Sequence, residues 1–130
     1  MKEVRVIDVM YTEVATADPE TTIAQAVEIM FKARYHDIIV VKDGVMQGII
    51  SWNEIMKKKP EERGELRLSQ IPLKKVSVFW DQPVMEAYKV MQQEKLDLIP
   101  VVDKSNNTKV IGVLTNEGVA LAYQKARISS

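Results

Sequence analysis

Ile23-Ala24-Gln25-Ala26-Val27-Glu28-Ile29-Met30-Phe31, then Ile38-Ile39-Val40-Val41, then Gly48-Ile49-Ile50-Ser51, is a pattern that the chain writes twice. Aligning Ile23 with Val84 sets Ala26 on Ala87, Met30 on Met91, Ile38 on Ile99 and Val40-Val41 on Val101-Val102. After a short insertion in the second copy, Gly48 meets Gly112, Ile49-Ile50 meets Val113-Leu114, and Ser51 meets Thr115. Upstream, Val14 meets Val76, and the pair Val6/Val9 resembles Leu68/Ile71. A solenoid would need more copies. Two imply a pseudo-symmetric pair, each burying a face that the other cannot bury alone.

Both copies share one plan. A short extended piece (Val14–Thr16; Val76–Phe79) leads through a turn into an amphipathic helix. In the first copy Ile23, Ala26, Val27, Met30 and Phe31 share a face, with Gln25, Glu28 and Lys32 opposite. Thr22-x-x-Gln25 is a capping box at its start. The second face is Val84, Ala87, Tyr88 and Met91, introduced by Asp81 and Pro83. Ile38–Val41 and Leu98–Val102 are short, apolar and rich in β-branched residues, which predicts buried strands. Asp43-Gly44 predicts a hairpin into Val45–Ile50; the second copy uses a longer polar loop, Asp103–Thr108, before Lys109–Leu114. Each copy closes with a helix, from near Trp52 and near Asn116. The order is strand–helix–strand–strand–helix, twice: a mixed α/β chain (α+β) of two β-α-β-β-α repeats. The first repeat spans 6–59 and the second 68–124. The charged stretch around Pro60 and Gly64 reads as a solvated linker, 60–67.

Composition narrows the function. The 130 residues carry 18 Lys+Arg against 18 Asp+Glu, so no basic surplus argues for nucleic acid. With no Cys, thiolate chemistry and Cys-based metal sites are excluded; with one His, so is an all-histidine metal site within one chain. No apolar run approaches the ~20 residues of a membrane span, and Met1-Lys2-Glu3-Val4-Arg5 opens no signal peptide. A cytoplasmic protein without a membrane or nucleic-acid partner is expected. No nucleophile–base–orienter constellation appears, and Ser51 with His36 has no nucleophile elbow, so an enzyme is not expected. Asp43-Gly44 with Gly48 lacks the Gly-Lys-Ser/Thr of a phosphate loop.

Val6-Ile7-Asp8-Val9-Met10, Asp18-Pro19-Glu20-Thr21-Thr22-Ile23, Leu98-Ile99-Pro100-Val101-Val102-Asp103 and the two Gly-led stretches ending in Ser51 and Thr115 resemble the cystathionine-β-synthase (CBS) domain pair, or Bateman module. The resemblance runs from about Val6 to Tyr123. It implies a regulatory module with two clefts related by the internal two-fold. It also implies an adenosine-containing ligand such as AMP, ADP or ATP rather than a catalytic cofactor, an output read by a separate effector protein, and a flat homodimer. The family's ligand motif is Gly-h-x-Ser/Thr-x-x-Asp, with h apolar. Its hydroxyl meets the ligand near the phosphate and its carboxylate accepts both ribose hydroxyls, having two acceptor oxygens for two adjacent donors.

For the main cleft the resemblance implies Ile49, Ser51, Asn53 and Glu54, with Val76, Ser77, Asp97 and Leu98 on the adenine side. Glu54 replaces the family's Asp, and Ser51-x-x-Glu54 equally reads as a helix capping box needing no ligand. For the second cleft it implies Val113, Thr115 and Asn116, with Ala15, Tyr35, His36 and Asp37. Gly118 stands there in place of the carboxylate, and Glu117 adds negative charge, so this cleft is expected to be the weaker or empty. His36 reads either as a group that stacks on adenine or answers a phosphate, or as a turn histidine bonded to backbone. A ligand-free interaction module is the alternative. Trp52 with Ile55 and Met56, and the closing-helix residues Val119, Leu121, Ala122, Tyr123 and Ala126, suggest a dimer contact near Trp52 and Tyr123.

Overall fold

The structure, a computed structural model, describes residues 3–129. Met1 and Lys2, which begin the stretch read above for a leader, and Ser130 lie outside them. In chain order the elements are α1 (Val6–Val9), β1 (Thr16–Ala17), α2 (Ile23–Ala33), β2 (Asp37–Lys42), β3 (Val45–Ser51), α3 (Trp52–Met56), β4 (Val78–Phe79), α4 (Val84–Glu94), β5 (Leu98–Val102), β6 (Val110–Thr115) and α5 (Asn116–Ser129). They form a mixed α/β fold with two three-stranded sheets, β1-β2-β3 and β4-β5-β6. One compact unit runs from Ala15 to Val76, and the other joins the described residues through Val14 to those from Ser77 onward.

In the unit Ala15–Val76, β1 runs parallel to β2 through the crossover helix α2, and β2 and β3 form an antiparallel hairpin. Asp43 and Gly44 turn that hairpin with φ of 51° and 77°, the paired positive values of a type I′ turn. The register slips between Val40 and Val41, so Gln47 is an extra residue on β3. Thr22 and Gln25 make the capping box: the Gln25 N–H donates to Thr22 Oγ1 (3.1 Å) and the Thr22 N–H to Gln25 Oε1 (3.0 Å). Helix α2 ends on Arg34 in the left-handed region (φ 61°). Ile23, Ala26 and Met30 go into the core with Ile38, Val40, Ile50 and Ile55.

Phe31 corrects the sequence reading, being 80% exposed. The buried arc of α2 is centred on Ala26 and Met30. A residue turns the helix by about 100°, so Phe31 passes beyond the arc's edge.

The stretch read as a solvated linker is exposed apart from Arg63 and Leu66, and its backbone also serves α2. Ile23 N–H donates to Leu66 O and Ala24 N–H to Arg63 O, both 3.0 Å, which satisfies the first two orphan donors of the helix. Leu68 and Ile71 then join the same core. Lys74 pairs with Ile49 through two backbone bonds of 2.8 and 2.9 Å. This crossing explains Gly48: its φ is +149°, and a Cβ would stand 2.7 Å from Leu73 Cβ and 2.9 Å from Lys74 O.

The other unit repeats the plan with its own lead-in segment. Val84 N–H donates to Val4 O (3.0 Å), as Ile23 does to Leu66, and Tyr11 pairs with Val113 as Lys74 does with Ile49. Val6 and Val9 of α1 are buried, as are Val84, Ala87 and Met91 of α4. The β5–β6 register slips between Val101 and Val102, the counterpart of the first bulge. Asp103 Oδ1 accepts from the Ser105 N–H (3.0 Å) and hydroxyl (2.9 Å), and this holds its carboxyl below the usual aspartate range. Both first strands begin later than the extended pieces read at Val14 and Val76. The apolar face of α5 divides: Val119 and Ala122 are buried, while Leu121 and Tyr123 are about half exposed.

Candidate functional site

The two Gly-led stretches end at the same structural corner, where a sheet's last strand passes into a helix. At the first corner Asp37 is the cross-strand partner of Ser51, and Trp52 N–H donates to His36 O at 2.7 Å. At the second, Leu98 is the partner of Thr115, and Asn116 N–H donates to Asp97 O at 3.3 Å. The Asn116 side-chain amide also donates to Asp97 Oδ1 (3.4 Å).

The corners differ in what their hydroxyls and carboxylates do. Ser51 precedes α3 with extended backbone (φ −101°, ψ 156°) and makes no side-chain capping bond. The Ser51–Glu54 capping box is therefore not formed. Glu54 accepts from Lys57 Nζ at 2.9 Å, an exposed ion pair one turn along α3. Asn53 is exposed and Ile49 buried.

Thr115 is fully buried, and its Oγ1 accepts the Gly118 N–H at 3.2 Å. It thus has the capping role that Ser51 lacks. A Cβ on Gly118 would meet Val9 O at 2.9 Å and Leu114 Cδ1 at 3.2 Å. The position where the motif carries its carboxylate is closed by backbone of α1.

The residues assigned to each cleft are divided between the units. The unit Ala15–Val76 holds Ile49, Ser51, Asn53, Glu54 and Val76 of the main set, and Ala15, Tyr35, His36 and Asp37 of the second. The other unit holds Ser77, Asp97 and Leu98 of the main set, and Val113, Thr115 and Asn116 of the second. Asp37 and Leu98 are buried, Ala15 and His36 exposed, and Tyr35, Val76, Ser77 and Asp97 half-buried. Each corner therefore joins, by strand pairing, residues expected to serve different clefts.

One feature of the first unit escaped the sequence reading. Val27, Met30, Phe31, Arg34, Tyr35, His36 and Trp52 line an open groove of about 680 Å³ along α2 and the start of α3. Tyr35 and His36 are cleft residues in the sequence reading, but their company with Phe31, Arg34 and Trp52 has no local pattern to show it. Among the described residues no group of three or more His, Asp or Glu could hold a metal ion, and no helix is long and apolar enough to cross a membrane.

Comparison with known proteins gives this geometry a context. The sequence matches the CBS domain over residues 6–61 and again over 68–125. Homoserine O-acetyltransferase of Methanococcoides burtonii is 31% identical over 116 residues, which cover 88% of this chain and 23% of that protein. The chain thus spans about a quarter of that relative's length. CBS domain-containing protein YhcV of Bacillus subtilis is 27% identical over 109 residues, 82% of this chain and 78% of that one. Among solved structures, the CBS domain pair of protein MJ0100, in complex with 5′-methylthioadenosine and S-adenosyl-L-methionine, superposes with a TM-score of 0.78 at 21% identity, covering 96% of this chain and 99% of that one. CBSX2 in complex with AMP gives 0.74 at 22% identity, covering 95% and 98%. At these identities the likeness is one of fold.

Proposed function

The chain belongs to the CBS-domain family, and from that premise we propose that it is a regulatory module that binds an adenosine-containing ligand at its first corner. Ser51 would meet the phosphate side, Glu54 would accept the ribose hydroxyls, and Val76, Ser77, Asp97 and Leu98 would receive the adenine. The observation that carries this reading is the contrast between the corners. Ser51 makes no capping bond and Glu54 is held only by an exposed lysine, whereas Thr115 caps its helix and Gly118 has no room for a carboxylate. Lys57 leaves Glu54 at little cost, because exposed ion pairs contribute about 0–1 kcal/mol.

Ligand binding would act by favouring one arrangement of the module, which an effector protein reads. AMP, ADP or ATP is the proposed ligand class, in a cytoplasmic homodimer without catalytic activity of its own. The solved pairs that hold AMP, S-adenosylmethionine and methylthioadenosine support the choice of adenosine.

The closed second corner favours a second reading, a ligand-free assembly module. Calorimetry with AMP, ATP and S-adenosylmethionine separates the two. One dominant site per chain is expected, weakened at least about tenfold by Glu54→Ala, since a lost charged hydrogen bond is worth about 1.5–3 kcal/mol. Absence of heat and of thermal stabilisation with all three ligands would favour the assembly module. Two equal sites, or an unaffected Glu54→Ala protein, would refute the assignment of the first corner.

A further inference from the structure

We infer that Arg63, in the stretch that joins the two repeats, is a positioning residue for the first corner: it holds the far end of α3 and so fixes where Glu54 presents its carboxylate. The inference rests on the ligand reading above and deepens it, placing part of the site's control outside the Gly-led motif.

Helix α3 has little of its own to hold it. It is five residues long, far below the ~12–15 at which an isolated helix is even marginal in water. Ser51 gives its start no side-chain cap, and at its end Lys58 N–H makes a tight bond to Ile55 O (3.0 Å). Ile55 is fully buried and pins the middle. One buried side chain sets where a single turn sits and leaves its tilt open. Glu54 and Lys57, paired at 2.9 Å, both lie on that turn.

Arg63 grips the open end. Its Nη2 donates to Lys58 O at 3.1 Å and reaches Met56 Sδ at 3.7 Å. Its own carbonyl accepts the Ala24 N–H (3.0 Å), so Arg63 bonds to α2 through its backbone and to the end of α3 through its side chain. The turn that carries it is braced from within. Lys59 N–H donates to Glu62 Oε2 (3.1 Å), Glu62 N–H to Lys59 O (3.0 Å) and Arg63 N–H to Pro60 O (3.3 Å). The grip therefore starts from a firm base.

The guanidinium is more than a filler. Its Nε is buried without a hydrogen-bond partner, which costs stability. A methionine would occupy similar space without that penalty, so what the arginine adds is the reach of Nη2 to the end of α3. Arg67 supplies the contrast. Its Nη1 donates to Glu20 O at 2.8 Å, a comparable bond from the same stretch, but on the α2 side.

The test uses the full chain in two arms. In the unliganded protein, Arg63→Met is expected to speed hydrogen exchange at the Ile55, Met56 and Lys58 amides at least about tenfold, with exchange in α2 unchanged because the carbonyl at position 63 remains. By calorimetry, with whichever of AMP, ATP and S-adenosylmethionine gives heat, Arg63→Met is expected to weaken binding about three- to tenfold, and to weaken it no further in a Glu54→Ala background. Arg67→Met is expected to match the wild type in both arms. Unchanged α3 exchange in folded Arg63→Met protein would overturn the inference. So would an undiminished loss in the Glu54→Ala background, or an equal loss with Arg67→Met, since either marks a general effect of the stretch. Silence of the wild type with all three ligands would remove the ligand reading, and the exchange arm alone would then decide whether Arg63 holds α3. Should Arg63→Met fail to fold, Arg63→Gln, too short to reach Lys58 O, replaces it in both arms.

Discussion

Placing a side chain at Gly118 tests whether the second corner is closed by packing or merely lacks a carboxylate. Gly118 is the third residue of α5, and a β-carbon there would stand 2.9 Å from Val9 O and 3.2 Å from Leu114 Cδ1. The first of these atoms is backbone, held in α1 by the burial of Val6 and Val9, so it yields poorly. Two effects compete in Gly118→Ala. Replacing glycine inside a helix stabilises by about 1 kcal/mol. Overpacking a filled site costs about 1–3 kcal/mol. At the middle of those ranges the second wins by about 1 kcal/mol, a fall in melting temperature of about 3–5 °C for a chain of this size. Gly118→Asp should fall further, because its carboxylate would sit against a carbonyl oxygen. Thermal unfolding followed by circular dichroism measures both. Gly118→Ala at or above the wild-type melting temperature would refute the packing argument. So would Gly118→Asp that folds normally and acquires a second nucleotide site.

Three further outcomes follow from the same geometry. Thr115→Val removes a buried cap and should destabilise by about 1–2 kcal/mol in denaturant titration, whereas Ser51→Ala, which removes no capping bond, should stay within about 0.5 kcal/mol. A fragment of residues 15–76 should give a cooperative thermal transition, while 15–59, deprived of Leu68, Ile71 and the Lys74 pairing, should not; equal behaviour would show that the lead-in segment is dispensable. The Lys104 ammonium, 2.7 Å from Asp81, holds that carboxyl below its usual value, so the pair's contribution is present above the unfolded-state pKa of Asp81 and lost as pH falls through the folded value. Lys104→Ala should raise the Asp81 titration midpoint seen by carboxyl-detected NMR, and an unmoved midpoint would remove the pair from the account.

How much of this was legible in the sequence depended on the range of the interaction. The helix α2, its Thr22–Gln25 cap, the Asp43-Gly44 turn and the two apolar hairpins rest on neighbours within a few residues, and periodicity with turn chemistry located them. The repeat alignment even matched Val6/Val9 with Leu68/Ile71, which occupy corresponding places in the two units. It was silent on which core each would enter, because the answer lies in pairings such as Tyr11 with Val113, distant in sequence and without a local pattern. Phe31 was misplaced because a five-residue apolar arc is wider than the strip that α2 buries, and spacing alone does not say which edge is cut. Ser51-x-x-Glu54 fits a capping box as well as Thr22-x-x-Gln25 does. In the fold Glu54 engages Lys57 one turn ahead, and the box stays open.

The exchange of lead-in segments has a kinetic consequence. The unit Ala15–Val76 is an uninterrupted stretch, so every contact that closes it is available once residue 76 has left the ribosome. The other unit is discontinuous. Its bridge residue Tyr11 is synthesised roughly a hundred residues ahead of Val113, the residue it pairs with. Buried Val6 and Val9 therefore pass through synthesis without their native partners, the period in which exposed apolar segments invite wrong association. Once the inner unit has folded, the ends of residues 14 and 77 are held by a compact body instead of sixty-odd flexible residues. The closure entropy of the last step shrinks accordingly, since it grows with the logarithm of the free loop length. Folding is thus expected to be ordered, the unit Ala15–Val76 first, and a substitution that unfolds that unit should also prevent the other from closing.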